Sequence, residues 1–76
     1  MKRVVNGVRY DTQKGVVVGE AKEFKLYKTP KGRFFLLYGG EYIKPVTEVE
    51  ARARYEDLVN IFLEYEEAFG EPPEEA

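Results

Sequence analysis

The side-chain types that most often do covalent or acid–base chemistry are missing from this sequence. There is no Cys, His, Ser or Trp among the 76 residues, so nucleophilic catalysis would fall to Thr12, Thr29, Thr47, a lysine or a carboxylate. None of these threonines has an evident base beside it in sequence, and Thr47 is better explained as a helix cap. The carboxylates occur as neighbours, Glu56 with Asp57 and Glu66 with Glu67. Such pairs on an exposed helical turn stay solvated and ionised, which is the opposite of the environment that tunes an acid and a base. Glutamates scattered along a helix do not make a calcium loop, and no imidazole is present for a transition metal. Gly39-Gly40 lacks the spacing and the following Lys-Ser/Thr of a phosphate loop. The expectation is a protein that is not an enzyme and needs no cofactor and no metal.

Binding chemistry is better represented. Lys22, Lys25, Lys28, Lys31 and Arg33 crowd the centre of the chain together with Tyr27, Phe24 and Phe35. A basic surface carrying exposed aromatics is how single-stranded nucleic acid is stacked and tracked. Lysines on edge strands also serve simply to prevent sheet-to-sheet pairing, and aromatics at these positions also fill cores. The second candidate surface is apolar. Val59 and Leu63 lie four residues apart, outside the main hydrophobic stripe of the C-terminal segment, with Ile61 on the other edge and Glu56, Glu66 and Glu67 as a charged rim. Such a surplus of apolar surface implies either a homodimer seam or a groove for another protein. Protein binding is therefore the leading expectation, and single-stranded nucleic-acid binding the alternative.

The element expected to carry that surface is Thr47 to Gly70. Ala51, Tyr55, Leu58, Phe62, Tyr65 and Phe69 recur at steps of four and three, which places them on one side of a helix. Thr47 and Glu50 have the spacing of a reciprocal capping box, with Val46 and Ala51 as a hydrophobic staple. Gly70 suits a left-handed helix end, and Pro72 and Pro73 cannot continue one. The segment predicts a single helix from Glu48 to Phe69, roughly 33 Å long. The competing reading is a break near Asn60 that leaves two shorter helices, because Asn is a poor interior residue.

Earlier in the chain, Lys2 to Val5 and Val8 to Tyr10 flank Asn6-Gly7, the dipeptide suited to a type I′ hairpin turn. Val16 to Val18 opens a β-branched run with Gly19 as a bulge or bend. Glu23 to Thr29 alternates, Pro30-Lys31-Gly32 turns the chain, and Arg33 to Tyr38 returns with apolar residues on both faces. One helix covers only one face, so that strand leaves a sticky face to account for. Glu41 to Lys44 completes an edge that Pro45 terminates. These elements predict an α+β domain over residues 1–70: an antiparallel sheet of four or five strands with one long C-terminal helix packed on one face. Residues 71–76 read as a disordered acidic tail.

Charge is unevenly spread. Residues 1 to 46 hold ten bases and four acids, a charge of +6, while residues 47 to 76 hold two bases and ten acids, a charge of −8, which together make the net −2. Intramolecular attraction between a basic sheet and an acidic helix is the first expectation from such a split. There is no long apolar run for a signal peptide or membrane span, so a soluble cytoplasmic protein with no membrane role is expected. The scarcity of amides and the abundance of Glu, Lys and Arg fit a thermostable or a designed, computationally generated sequence. In the latter case the domain would have no selected function.

Residues Val4-Val5-Asn6-Gly7-Val8-Arg9-Tyr10-Asp11-Thr12, Leu26-Tyr27-Lys28-Thr29 with Lys31-Gly32 and Phe34-Phe35-Leu36, and Pro45-Val46-Thr47-Glu48 before Glu50-Ala51-Arg52 make the chain similar to a family of small uncharacterised bacterial, phage and mobile-element proteins. Glu64-Tyr65-Glu66-Glu67 with Phe69-Gly70 extends that resemblance to the end of the domain. Members usually carry a longer polar insertion around the central hairpin and a polar interruption before the last acidic segment, whereas here the hairpin is trimmed and Asn60-Ile61-Phe62 is apolar. The resemblance implies a genomic setting more than an activity. Phage accessory proteins of this size often act by binding, anti-CRISPR inhibitors among them, and the analogy extends to this chain only at that level.

Overall fold

Asn6 and Gly7 turn the chain as their chemistry allows, with φ of 51° and 76°, the left-handed values a type I′ turn requires. In the computed structural model, which describes residues 1–76, they join β1 (Lys2–Val5) to β2 (Val8–Asp11). This hairpin is a two-stranded sheet of its own. The main sheet comprises β3 (Val16–Glu20), β4 (Phe24–Lys28), β5 (Phe34–Tyr38), β6 (Tyr42–Val46) and β7 (Asn60–Ile61). Its order is β6-β5-β4-β3-β7, and every pairing is antiparallel.

The alternation of β4 and β5 sorts two cores onto the two faces. Leu26, Phe34 and Leu36 point to one side with Val18, Ala51 and Ala68. Tyr27, Phe35 and Ile43 point to the other, where Tyr10 of the hairpin covers them. Tyr27 stacks on Phe35 at 4.8 Å and Tyr10 meets Phe35 edge-on at 5.8 Å, both favourable aromatic geometries. The sticky face expected of β5 is thus closed by the chain's own first hairpin, and Arg3 donates across to the Ile43 carbonyl at 2.7 Å. The molecule has three layers: hairpin, sheet and helices.

The long C-terminal helix is not found. In its place stand α1 (Glu48–Tyr55), β7, and α2 (Tyr65–Phe69). Seven strands and two short helices make the fold mainly β rather than α+β with one long helix. The reason lies at the outer edge of β3. A continuous helix would leave the Val18 and Glu20 carbonyls unpaired there, and unpaired backbone groups are costly wherever water is excluded. They are instead satisfied by Val59 N–H on Glu20 at 2.8 Å and by Phe62 and Leu63 N–H on Val18 at 2.9 and 3.0 Å. Val59 and Ile61 are β-branched and flank Asn60, so the segment is a weak helix former and yields to that pairing. The break lies close to Asn60, as the competing reading supposed, but it makes a strand rather than a joint.

Gly19 makes the approach possible. A Cβ there would stand 2.6 Å from both the Asn60 carbonyl oxygen and Leu58 Cδ1, closer than unbonded atoms tolerate. The bulge expected at this point is present, with the β3–β4 register shifting between Val17 and Gly19. Of the helix signals, Thr47 Oγ1 accepts from Glu50 N–H at 3.2 Å, but the Glu50 carboxylate pairs with Lys44 at 3.6 Å instead of reaching back. Gly70 closes α2 with φ 82°. Glu71, the first residue of the acidic tail, is held by Arg52 at 2.9 Å. No helix is long and apolar enough to cross a membrane.

Candidate protein-binding edge

Residues 56–63 lie between the two helices and along the open side of β3. Their backbone is fixed by the β3 hydrogen bonds, and Asn60 Nδ2 adds a bond to Glu20 Oε1 at 3.0 Å. Leu58 turns inward onto the Val18 and Leu26 core. Three other apolar side chains turn out: Val59, Ile61 and Phe62 are 75 %, 49 % and 58 % exposed. Phe62 stood in the middle of the predicted core stripe, and its exposure is a correction to that stripe. Pairing with Gly19 and Glu20 sets the direction of residues 60 and 61, so helical spacing no longer decides which face Phe62 occupies.

Leu63, expected with Val59 on one exposed helix face, is half-buried against the helix-side core. Its carbonyl accepts from the Tyr55 hydroxyl at 2.9 Å. Burial raises the Tyr55 pKa above its ordinary value, and the Glu64 and Glu67 carboxylates add to the rise. Glu56, Glu66 and Glu67 are all exposed, Glu56 at the end of α1 and the other two in the first turn of α2. Glu67 also accepts from Glu64 N–H at 3.1 Å, so it closes the start of α2 as well as charging it.

Arg52 ties the helices together. Its guanidinium donates to Glu48 Oε2 at 2.7 and 3.1 Å, to the Tyr65 hydroxyl at 3.0 Å and to Glu71 Oε1 at 2.9 Å. It also lies 5.1 Å over the Phe69 ring. Glu48 first, then Tyr65, raises the pKa of a group that is already a permanent cation. These contacts hold α2 against α1 and thereby set both ends of the exposed segment.

The basic residues divide. Lys22 and Lys25 line a shallow hollow with Glu20, Glu23 and Gly39-Gly40 at one end of the sheet. Lys28 turns to the helix side and donates to the Glu67 carbonyl at 3.2 Å. Lys31 and Arg33 line a different cleft, with Arg9 and Lys14. Tyr27 is only 7 % exposed and stacked on Phe35, so it offers no face to a nucleic-acid base. The five cations therefore do not form one basic aromatic surface. Arg9 and Lys14 had no local signal to mark them, because their neighbourhood is created by folding the hairpin over the sheet. Ile61 and Phe62 did have one: β-branched residues around Asn60 break helical propensity.

Comparison of the chain with protein-family models, with curated proteins and with solved structures finds no match in any of the three.

Proposed function

We propose that the chain acts by protein–protein binding, as a small non-enzymatic accessory protein of phage or mobile-element type, with inhibition of a host defence system as its setting. The observation that carries this reading is the outward run of Val59, Ile61 and Phe62 on a segment whose backbone is pinned at four points to β3. A pinned segment loses little conformational freedom on binding, and aromatic and aliphatic side chains on it supply the desolvated centre of an interface. The two-residue length of β7 argues for contact through side chains rather than strand addition, since very short edge strands resist pairing.

The test is capture from nuclease-treated host lysate with parent and Phe62→Asp baits. Capture of a defined protein by the parent and its loss in the variant, at an unchanged thermal midpoint, supports the reading. Equal capture by both baits removes the edge from consideration.

A further inference from the structure

Four cations from three separate segments line one cleft of about 500 Å³: Arg9 of β2, Lys14 of the loop after it, and Lys31 and Arg33 around the β4–β5 turn. The charged groups of all four make no ion pair and no hydrogen bond, although those of other cations in the chain do. Lys44, Arg52 and Arg54 are paired with carboxylates, and Arg3 and Lys28 bond backbone carbonyls. Only the Lys44–Glu50 contact joins the basic half of the chain to the acidic half by an ion pair. Internal attraction therefore leaves the cleft cations unneutralised. The lone carboxylate of the lining, Asp11, spends Oδ1 on Gln13 N–H at 2.9 Å and shapes the loop.

The backbone that presents these side chains is ordered by its own bonds. Lys14 and Gly15 N–H donate to the Asp11 carbonyl at 3.2 and 3.0 Å. Thr29 and Arg33 close the turn through Thr29 N–H on the Arg33 carbonyl at 2.7 Å and Arg33 N–H on Thr29 Oγ1 at 3.0 Å. Gly15 sits close over Tyr27, where a Cβ would meet Cδ2 at 3.3 Å. The cations are thus carried on fixed turns rather than on mobile tips.

We propose that this cleft is a phosphodiester-binding site that grips a nucleic-acid backbone without reading its bases. Val8 and Pro30 are the only apolar side chains of the lining, against four cations. A protein partner would call for an apolar centre, whereas nucleic-acid interfaces are polar and strongly positive. No aromatic lines the cleft, so base stacking contributes nothing and duplex and single strand are both accepted. The opening has far more room than a single phosphate group fills, and its cations come from three segments, which suits a run of phosphates. This site is independent of the apolar edge formed by Val59, Ile61 and Phe62.

The experiment is fluorescence anisotropy of a labelled single-stranded 20-mer and the matching duplex, with the full chain. Four phosphate contacts predict that affinity falls between about 50 and 200 mM salt by about 50-fold for the single strand and about 150-fold for the duplex. Lys31→Gln with Arg33→Gln, and separately Arg9→Gln with Lys14→Gln, should each lower affinity about tenfold or more and flatten the salt dependence by about half. Lys22→Gln with Lys25→Gln, outside the cleft, should stay within about twofold of the parent. Absence of binding at low salt, or an equal loss in the Lys22 and Lys25 variant, overturns the proposal. Poly-glutamate binding more tightly than either oligonucleotide also overturns it, in favour of an acidic polypeptide; tripolyphosphate displacing the duplex at equal phosphate concentration does so in favour of a compact anion. The two cleft variants alter different segments, so a folding defect in one, seen in its thermal midpoint, leaves the other and the parent's salt response to decide.

Discussion

Tyr55 shows how one side chain reports on its surroundings. Its hydroxyl donates to the Leu63 carbonyl from a partly buried position, and burial together with the Glu64 and Glu67 charges favours the neutral phenol. Because the folded pKa is raised, the stabilisation is fully present below the unfolded value of about 10 and is lost as pH rises through the folded value. The parent should therefore lose thermal stability on alkaline titration more steeply than Tyr55→Phe. At neutral pH the same variant should be less stable by about 1 kcal/mol for the lost hydrogen bond. Thermal midpoints of both proteins from neutral pH into the alkaline range check this, and parallel curves would show that Tyr55 is not the titrating group. Arg52 makes a second prediction at this scale. Arg52→Ala should lower the melting temperature and Arg52→Lys should recover only part of it, because an ammonium cannot reach Glu48, Tyr65 and Glu71 at once as the planar fork does. Full recovery by Lys would reduce the residue to a point charge.

At the scale of elements, the C-terminal third turns on the contest between a helical stripe and a sheet edge. If the edge pairing wins for the reasons given, Phe62→Ala should change stability by less than about 0.5 kcal/mol, as exposed positions do. Phe35→Ala, at a fully buried ring between Tyr10 and Tyr27, should cost about 3 to 5 kcal/mol. Urea denaturation of the two variants separates a strand at residues 60 and 61 from a continuous helix, which would invert the order for Phe62. Gly19→Ala tests the same edge from the other side. The added methyl meets the Asn60 carbonyl oxygen and Leu58, and displacing β7 should cost about 1 to 3 kcal/mol. Hydrogen exchange of the Val59, Phe62 and Leu63 amides should accelerate with it.

The molecule as a whole depends on the hairpin layer. A sheet with Tyr27, Phe35 and Ile43 on one face needs a cover, and here β1 and β2 supply it through Tyr10, Val5 and Val8. Tyr10→Ala should therefore lose about 3 kcal/mol or more, as truncation of a buried aromatic does, and should also open the second face. Increased binding of a hydrophobic dye under native conditions would report that opening. A drop in stability with no new dye binding would mean that the hairpin stays docked without its ring.

Much of the local structure followed from the sequence alone. Asn6-Gly7, the alternation of residues 24 to 28 and 34 to 38, the turn at Pro30-Lys31-Gly32, the Gly19 bulge, the Thr47 cap and the Gly70 stop all depend on backbone sterics or on bonds spanning a few residues, which neighbouring residue types specify. The partition of the chain into layers did not. Whether residues 56 to 63 continue a helix depends on two carbonyls some 40 residues away in the chain, at Val18 and Glu20, and a periodic pattern carries no information about them. The site residues divided in the same way. Val59 is exposed, but Leu63, its expected companion, is turned into the core by the break, while Arg9 and Lys14 join Lys31 and Arg33 only because the hairpin folds over the sheet. Residue types determined which turns, strands and caps could form. Only the pairing of distant segments decided which apolar side chains met water and which cations came together.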